Sequence, residues 1–128
     1  MPYPHVIRLR GPWDYEVVEA RTGRASSGRE QVPADWLTIL GSDFSGRVRY
    51  RRYFNRPTGL ESHEQVWLVV EENTTRATVT LNDRPVAGIN SDCLTAEFDI
   101  TTLIANRNAL VIDADGPLAG EIRLEIRA

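Results

Sequence analysis

Apolar and polar positions alternate with period two along most of the chain, the signature of strands with one buried and one wet face. The clearest run is 121–127, where Ile122, Leu124 and Ile126 point one way and Arg123, Glu125 and Arg127 the other. Residues 76–81 repeat the pattern with Ala77, Val79 and Leu81 inward. So do 6–10 (Ile7 and Leu9 against Arg8 and Arg10) and 13–18 (Trp13, Tyr15 and Val17 against Asp14 and Glu16). Residues 109–114 place Leu110 and Ile112 on a core side, and 66–70 is apolar on both faces, as a central strand would be. Trp13 and Trp67 both fall inside strand patterns and are expected in the core.

Turn chemistry separates these runs. Asn82-Asp83 divides two strand-like stretches and tolerates positive φ, Thr22-Gly23 is a hairpin candidate, and 55–59 and Gly116-Pro117 read as loops. The polar stretch 21–31 is expected to be an exposed loop or a frayed edge hairpin. Helical signals are confined to 33–40 and to 99–103, where Asp99 is placed to cap a single turn. About eight short strands and almost no helix predict an all-β, two-sheet antiparallel sandwich in one domain, 1–128. Periodicity alone leaves an immunoglobulin-like sandwich and a jelly roll both open.

Strand 46–54 poses a separate problem. Val48, Tyr50 and Phe54 share one face, and Arg52 falls on it too, while Arg47, Arg49, Arg51 and Tyr53 lie on the other. An inward guanidinium needs a partner, because an isolated buried charge is very costly. The expectation is a structural ion pair between Arg52 and Asp99 or Glu97; the alternative is a β-bulge that turns Arg52 outward. The outward arginines form a basic stripe, read either as a polyanion contact or as a solvated face paired with acids such as Glu71 on another strand.

Composition narrows the choices. A length of 128 residues excludes a (β/α)₈ barrel, which needs about 250 residues. A net charge of −3, from 15 basic and 18 acidic residues, supplies no bulk field for nucleic acid or anionic lipid, so neither is expected as a partner. All basic residues are arginine, from which no mechanism follows. The single Cys93 allows no internal disulfide and no cysteine zinc cluster, and is read as inert; His5 and His63 lack metal-ligand spacing, so no metal or cofactor is expected. The acidic pairs Glu71-Glu72 and Asp113/Asp115 have no supporting motif as glycosidase carboxylates or calcium ligands and are read as solvated strand edges. Apolar runs fall far short of the roughly 20 residues that cross a bilayer, and the first ten residues do not resemble a signal peptide, so a cytoplasmic location is the default expectation.

Four segments in order resemble the N-terminal sugar-binding domain of family 2 glycoside hydrolases, the β-galactosidase and β-glucuronidase group. Residues 7–15, with Leu9, Gly11, Trp13 and Tyr15, are similar to its opening "L-x-G-x-W-x-F". Residues 43–54, with Gly46, Tyr50, Arg51, Arg52 and Phe54, resemble "G-x-x-x-Y-R-R-x-F". Val66-Trp67-Leu68 and 77–88 are similar to "V-x-L" and "V-x-x-N-G-x-x-V-G", and 97–110 to "F-D-I-T … N-x-L". The resemblance implies a galactose-binding-domain-like jelly roll without catalysis, since that family's catalytic glutamates lie on a separate barrel domain. It also implies a contact loop, "D-S-R-L-P-S-E-F-D-L" in β-galactosidases, whose Asp reaches the barrel's active site. Here the family Asp falls on Ser91, with Asp92 one place later, and its Arg falls on Cys93.

Sugar recognition needs planar hydrogen-bonding groups and an aromatic face. Trp36, Asn90 and Asp92 are the candidate ligand residues; against this stand the plainer readings of Trp36 as a lid over one end of the sandwich and of Asn90 and Asp92 as turn-shaping residues. The expected function is a non-catalytic carbohydrate-binding module standing alone, with a carbohydrate ligand as partner. The alternative is an interaction or assembly module that forms a homo-oligomer or docks on a partner enzyme domain.

Overall fold

The computed structural model describes residues 3–22, 27–30, 45–71, 76–90, 95–115, 118 and 120–128. Ten strands are found among them: β1 (His5–Arg8), β2 (Trp13–Thr22), β3 (Ser27–Glu30), β4 (Ser45–Asn55), β5 (Gln65–Glu71), β6 (Ala77–Leu81), β7 (Arg84–Ile89), β8 (Thr95–Asp99), β9 (Arg107–Ala114) and β10 (Ile122–Arg127). A four-stranded sheet runs β1-β10-β5-β8 and a six-stranded sheet β3-β2-β4-β9-β6-β7, with every pairing antiparallel. The chain is an all-β sandwich with the jelly-roll architecture of galactose-binding-like domains.

Alternation decides which residues the sheets bury between them. Val66, Leu68 and Val70 of β5 and Ile122 and Leu124 of β10 meet Val48, Tyr50, Val79, Leu81, Leu110 and Ile112 across the interior. Trp13 is fully buried there, and its Nε1–H donates to the Leu9 carbonyl at 2.7 Å, so the ring's one polar atom is satisfied. Trp67 departs from expectation. With Val66 and Leu68 inward, period two sends Trp67 and Val69 to the outer face of the four-stranded sheet. The Arg127 guanidinium lies over the indole at 4.6 Å, and Val69, set between Arg123 and Glu97 in the register, is 0% exposed.

Five motif residues explain local geometry. Asn82 and Asp83 adopt φ of 53° and 65° between β6 and β7, the left-handed pair that a tight hairpin requires. Asn108, fully buried, accepts from Asn82 Nδ2 at 2.9 Å and from the Ala105 amide at 2.7 Å, and donates to the Phe54 and Ala105 carbonyls. Asn82 in turn accepts from the Ala109 amide at 2.9 Å. The two asparagines therefore tie the hairpin, the turn before β9 and the end of β4 into one satisfied network. Asp99 caps the expected single turn, its Oδ1 accepting from the Thr101 amide at 3.0 Å. Gly46, at φ +152°, lies where β2 bulges against β4; a Cβ there would stand 1.9 Å from the Glu19 carbonyl oxygen.

Residues 21–31 hold an edge strand, β3, paired to β2, which is the hairpin side of the expected alternative; Gly23 and the helical candidate 33–40 lie outside the described residues. No helix among the described residues is long and apolar enough to cross a membrane.

Candidate functional site

Asn90 follows β7 directly and lines an open cleft of about 520 Å³ on the outer face of the six-stranded sheet. Arg47, Arg76, Thr78, Gly88, Asp113 and Asp115 complete its polar wall. The register explains the gathering. Strand β4 runs antiparallel to β9 with Arg49 opposite Asp113, and Thr78 of β6 faces Asp113 from the other side. Arg49 Nε donates to Asp113 at 2.8 Å, and Arg47 Nε to Asp115 at 3.2 Å. The Asp115 amide donates to the Arg76 carbonyl at 2.9 Å, which brings Arg76 to the cleft's rim. At Gly88 an added Cβ would meet nothing within 4 Å, so this position opens straight onto the hollow.

Chemically, the cleft holds carboxylates that accept, guanidinium groups that donate, and an amide and a hydroxyl that do both. Such a set complements neighbouring hydroxyls, which each donate and accept. Each aspartate is bound to an arginine.

The sequence candidates divide. Asn90 lines the cleft; Trp36, Asp92 and Cys93 lie outside the described residues. Arg52 and Asp99 are not brought together. The β4–β9 register is unbroken from Val48 to Asn55, so no bulge turns Arg52 outward and it stays on the interior face. Its Nη1 donates to the Tyr53 carbonyl at 3.0 Å, its Nε is buried without a partner among the described residues, and burial pushes the guanidinium pKa down. Both acids expected to pair with it sit at exposed positions of β8, in the other sheet: Glu97 is bound to Arg127 and Asp99 to Thr101. The same period two that turns Arg52 inward turns these carboxylates out.

The basic stripe and the acidic pair answer each other. Arg47 and Arg49 pair with Asp115 and Asp113, whereas Glu71 pairs with Arg123 at 2.6 Å. Sequence reasoning missed Arg47, Thr78, Asp113 and Asp115 as cleft residues. The available signal was the matched i, i+2 spacing of opposite charges on two strands that then prove to be neighbours. Among the described residues, no group of three or more His, Cys, Asp or Glu is placed to hold a metal ion.

A sandwich of this topology, with its polar cleft on one sheet face, defines a galactose-binding-like β domain. A family model described as "Glycosyl hydrolase 2 galactose-binding domain-like" matches residues 44–126, and the chain belongs to that family. No curated protein matches the chain. Among solved structures, it is similar to an FMN-binding β-glucuronidase from Facaelibacterium prausnitzii L2-6 at 19% identity, with a TM-score of 0.85 over 98% of this chain and 23% of that one. A β-glucuronidase from Ruminococcus gnavus gives 14% identity and a TM-score of 0.83 over 98% of this chain and 28% of that one. For a β-galactosidase described as putative, from Bacteroides fragilis, the values are 17% and 0.78, over 98% and 23%. The chain thus spans about a quarter of the length of these enzymes. At such identities the likeness shows the shared fold.

Proposed function

We propose that the chain is a non-catalytic carbohydrate-binding module whose ligand seats in the Asn90 cleft. The carrying observation is the cleft itself, an open hollow of about 520 Å³ lined by both donors and acceptors, within the usual size range of small-molecule sites. The rigid β4–β9–β6 register holds those groups in place before a ligand arrives, which limits the ordering penalty on binding. Kinship with a family of galactose-binding-like domains supports the same reading.

The test is a titration of the ¹⁵N-labelled chain with neutral mono- and disaccharides. Shifts of the Thr78, Gly88 and Asn90 amides that vanish in both Asn90→Ala and Gly88→Leu are the expected result. Gly88→Leu fills the hollow while its backbone carries no positive-φ strain. Absence of saturable shifts with every sugar would exclude the reading.

A second reading, an assembly module, has its own observation. Tyr3, Val6 and Ile7, each about 40% exposed, gather at β1, the end strand of the four-stranded sheet among the described residues. They line a cleft of about 550 Å³ with Leu60 and Ile126. Tyr3 donates its hydroxyl to Glu64 at 2.7 Å; the Glu61 amide and that hydroxyl together hold the Glu64 carboxyl below its ordinary pKa. Exposed apolar surface on an edge strand favours a protein partner. Sedimentation velocity separates the readings: a tight dimer lost in Val6→Arg, together with no sugar binding, would establish assembly.

A further inference from the structure

The outward arginines of β4 do not share one fate. Arg47 and Arg49 are bound to Asp115 and Asp113, but Arg51, two residues on, has no ion pair among the described residues. Asp14 stands opposite it in the β2–β4 register, yet that carboxylate accepts from Arg29 Nε at 2.9 Å. Two residues further lies Tyr53, 48% exposed, with the Arg107 guanidinium 5.1 Å from its ring centroid. Arg107 likewise has no carboxylate partner among the described residues. A half-exposed aromatic ring is therefore flanked on one sheet face by two guanidinium groups that have no carboxylate partner among the described residues, in a chain whose net charge is −3. By strand geometry, Tyr53 stands about 20 Å along β4 from Arg47 and hence from the Asn90 cleft.

We propose that Arg51, Tyr53 and Arg107 form a second binding site, for a saccharide that carries a carboxylate. The negative face of the tyrosine ring attracts the polarised C–H face of a pyranose. The guanidinium forks of Arg51 and Arg107 match a carboxylate in shape and charge. A short acidic saccharide fits one aromatic ring flanked by two guanidinium groups better than a nucleic acid does, whose charges run on along the strand past the two arginines.

The experiment titrates the full ¹⁵N-labelled chain with trigalacturonate and, separately, with α-1,4-galactotriose, the same sugar without the carboxylates. Trigalacturonate is expected to shift the amides of Arg51, Tyr53 and Arg107, with affinity falling as salt rises. Arg51→Gln and Arg107→Gln should each weaken binding about tenfold or more, as loss of a charge-assisted hydrogen bond does. Tyr53→Ala should abolish it and Tyr53→Phe retain it, the latter showing that the ring and not the fold is read. Asn90→Ala should leave it unchanged. Equal shifts with galactotriose, no shifts with trigalacturonate, or tighter binding of an oligothymidylate at the same amides would each overturn the proposal. Loss of all binding in Asn90→Ala, with none in Tyr53→Ala, would overturn it while leaving the Asn90 cleft as the carbohydrate site.

Discussion

The two outer faces of the sandwich use the same residue types to opposite ends. On the four-stranded sheet, charges close on one another. Arg123 contacts Glu71, Glu121 and Glu125; Arg127 contacts Glu97 and Glu125 and lies over Trp67; Arg8 reaches Glu121 at 2.6 Å. Glu125, 7% exposed, sits at the centre of this lattice. On the six-stranded sheet, Arg47 and Arg49 are neutralised at one end, while Arg51 and Arg107, flanking Tyr53 at the other, have no carboxylate partner among the described residues, beside a cleft lined by Asp14, Arg29, Arg49 and Arg51. A face whose charges are mutually satisfied has little left to offer a ligand. A face with hollows and unneutralised groups has both shape and unused hydrogen bonds. Arginine content alone distinguishes neither; the register of each strand against its neighbours does.

Substitutions break this contrast in a definite order. The largest effect is expected from Gly46→Ala, at the bulge that shapes the six-stranded sheet, because the new Cβ meets the Glu19 carbonyl and the backbone φ is unsuited to it. Loss of about 3 kcal/mol or more, or failure to fold, is predicted in urea unfolding. Asn108→Ala strips the buried partner of Asn82, Ala105 and Phe54, and a loss of about 2–3 kcal/mol should follow.

Glu125→Gln comes next and sharpens the comparison, since it attacks the closed face. Burial alone would raise the Glu125 pKa, but hydrogen bonds from Arg127 and Arg123 outweigh it and hold the carboxyl below its ordinary 4.5. A carboxyl with a depressed folded-state pKa adds stability above its unfolded pKa, and that stability is lost as pH falls through the folded value. The wild type should therefore lose stability below about pH 4.5 more steeply than Glu125→Gln, whose unfolding midpoint at neutral pH should already be lower by the equivalent of about 1–2 kcal/mol. Parallel pH profiles for the two chains would show that the lattice contributes nothing. Smallest of all, Arg51→Gln on the open face should change stability by no more than about 0.5 kcal/mol, the ordinary range for an exposed position. A destabilisation like that of Glu125→Gln would mean that Arg51 has a structural partner after all.

Much of the sandwich was legible in the chain because half-buried strands write their orientation into the sequence. Ile122, Leu124 and Ile126 against Arg123, Glu125 and Arg127 admit only one arrangement, and the structure has it. The run 66–70 was not legible in the same way: apolar on both faces, it conceals its own parity, so Trp67 reads as core although Val66 and Leu68 occupy the interior. The Asn82 and Asn108 motif positions mark the domain's kinship, and the structure gives them a purely architectural task. The candidate site was less accessible still. Asn90 was visible as a polar residue beside a strand end, but its neighbours come from β4, β6 and β9, and which strands adjoin is a matter of topology that periodicity does not encode. Arg52 shows the converse: its inward orientation followed from parity, and its partner did not, because a one-chain pattern carries no information on what faces it across the interior.

The central claim is that ligands are received by the outer face of the six-stranded sheet and not by that of the four-stranded one. Amide shift mapping of the whole chain with a panel of neutral and acidic saccharides tests it most directly. The account predicts saturable shifts at outward positions of β4, β6, β7 and β9, with β5 and β10 silent. Shifts centred on Trp67, Glu125 and Arg127, or on β1, would contradict it.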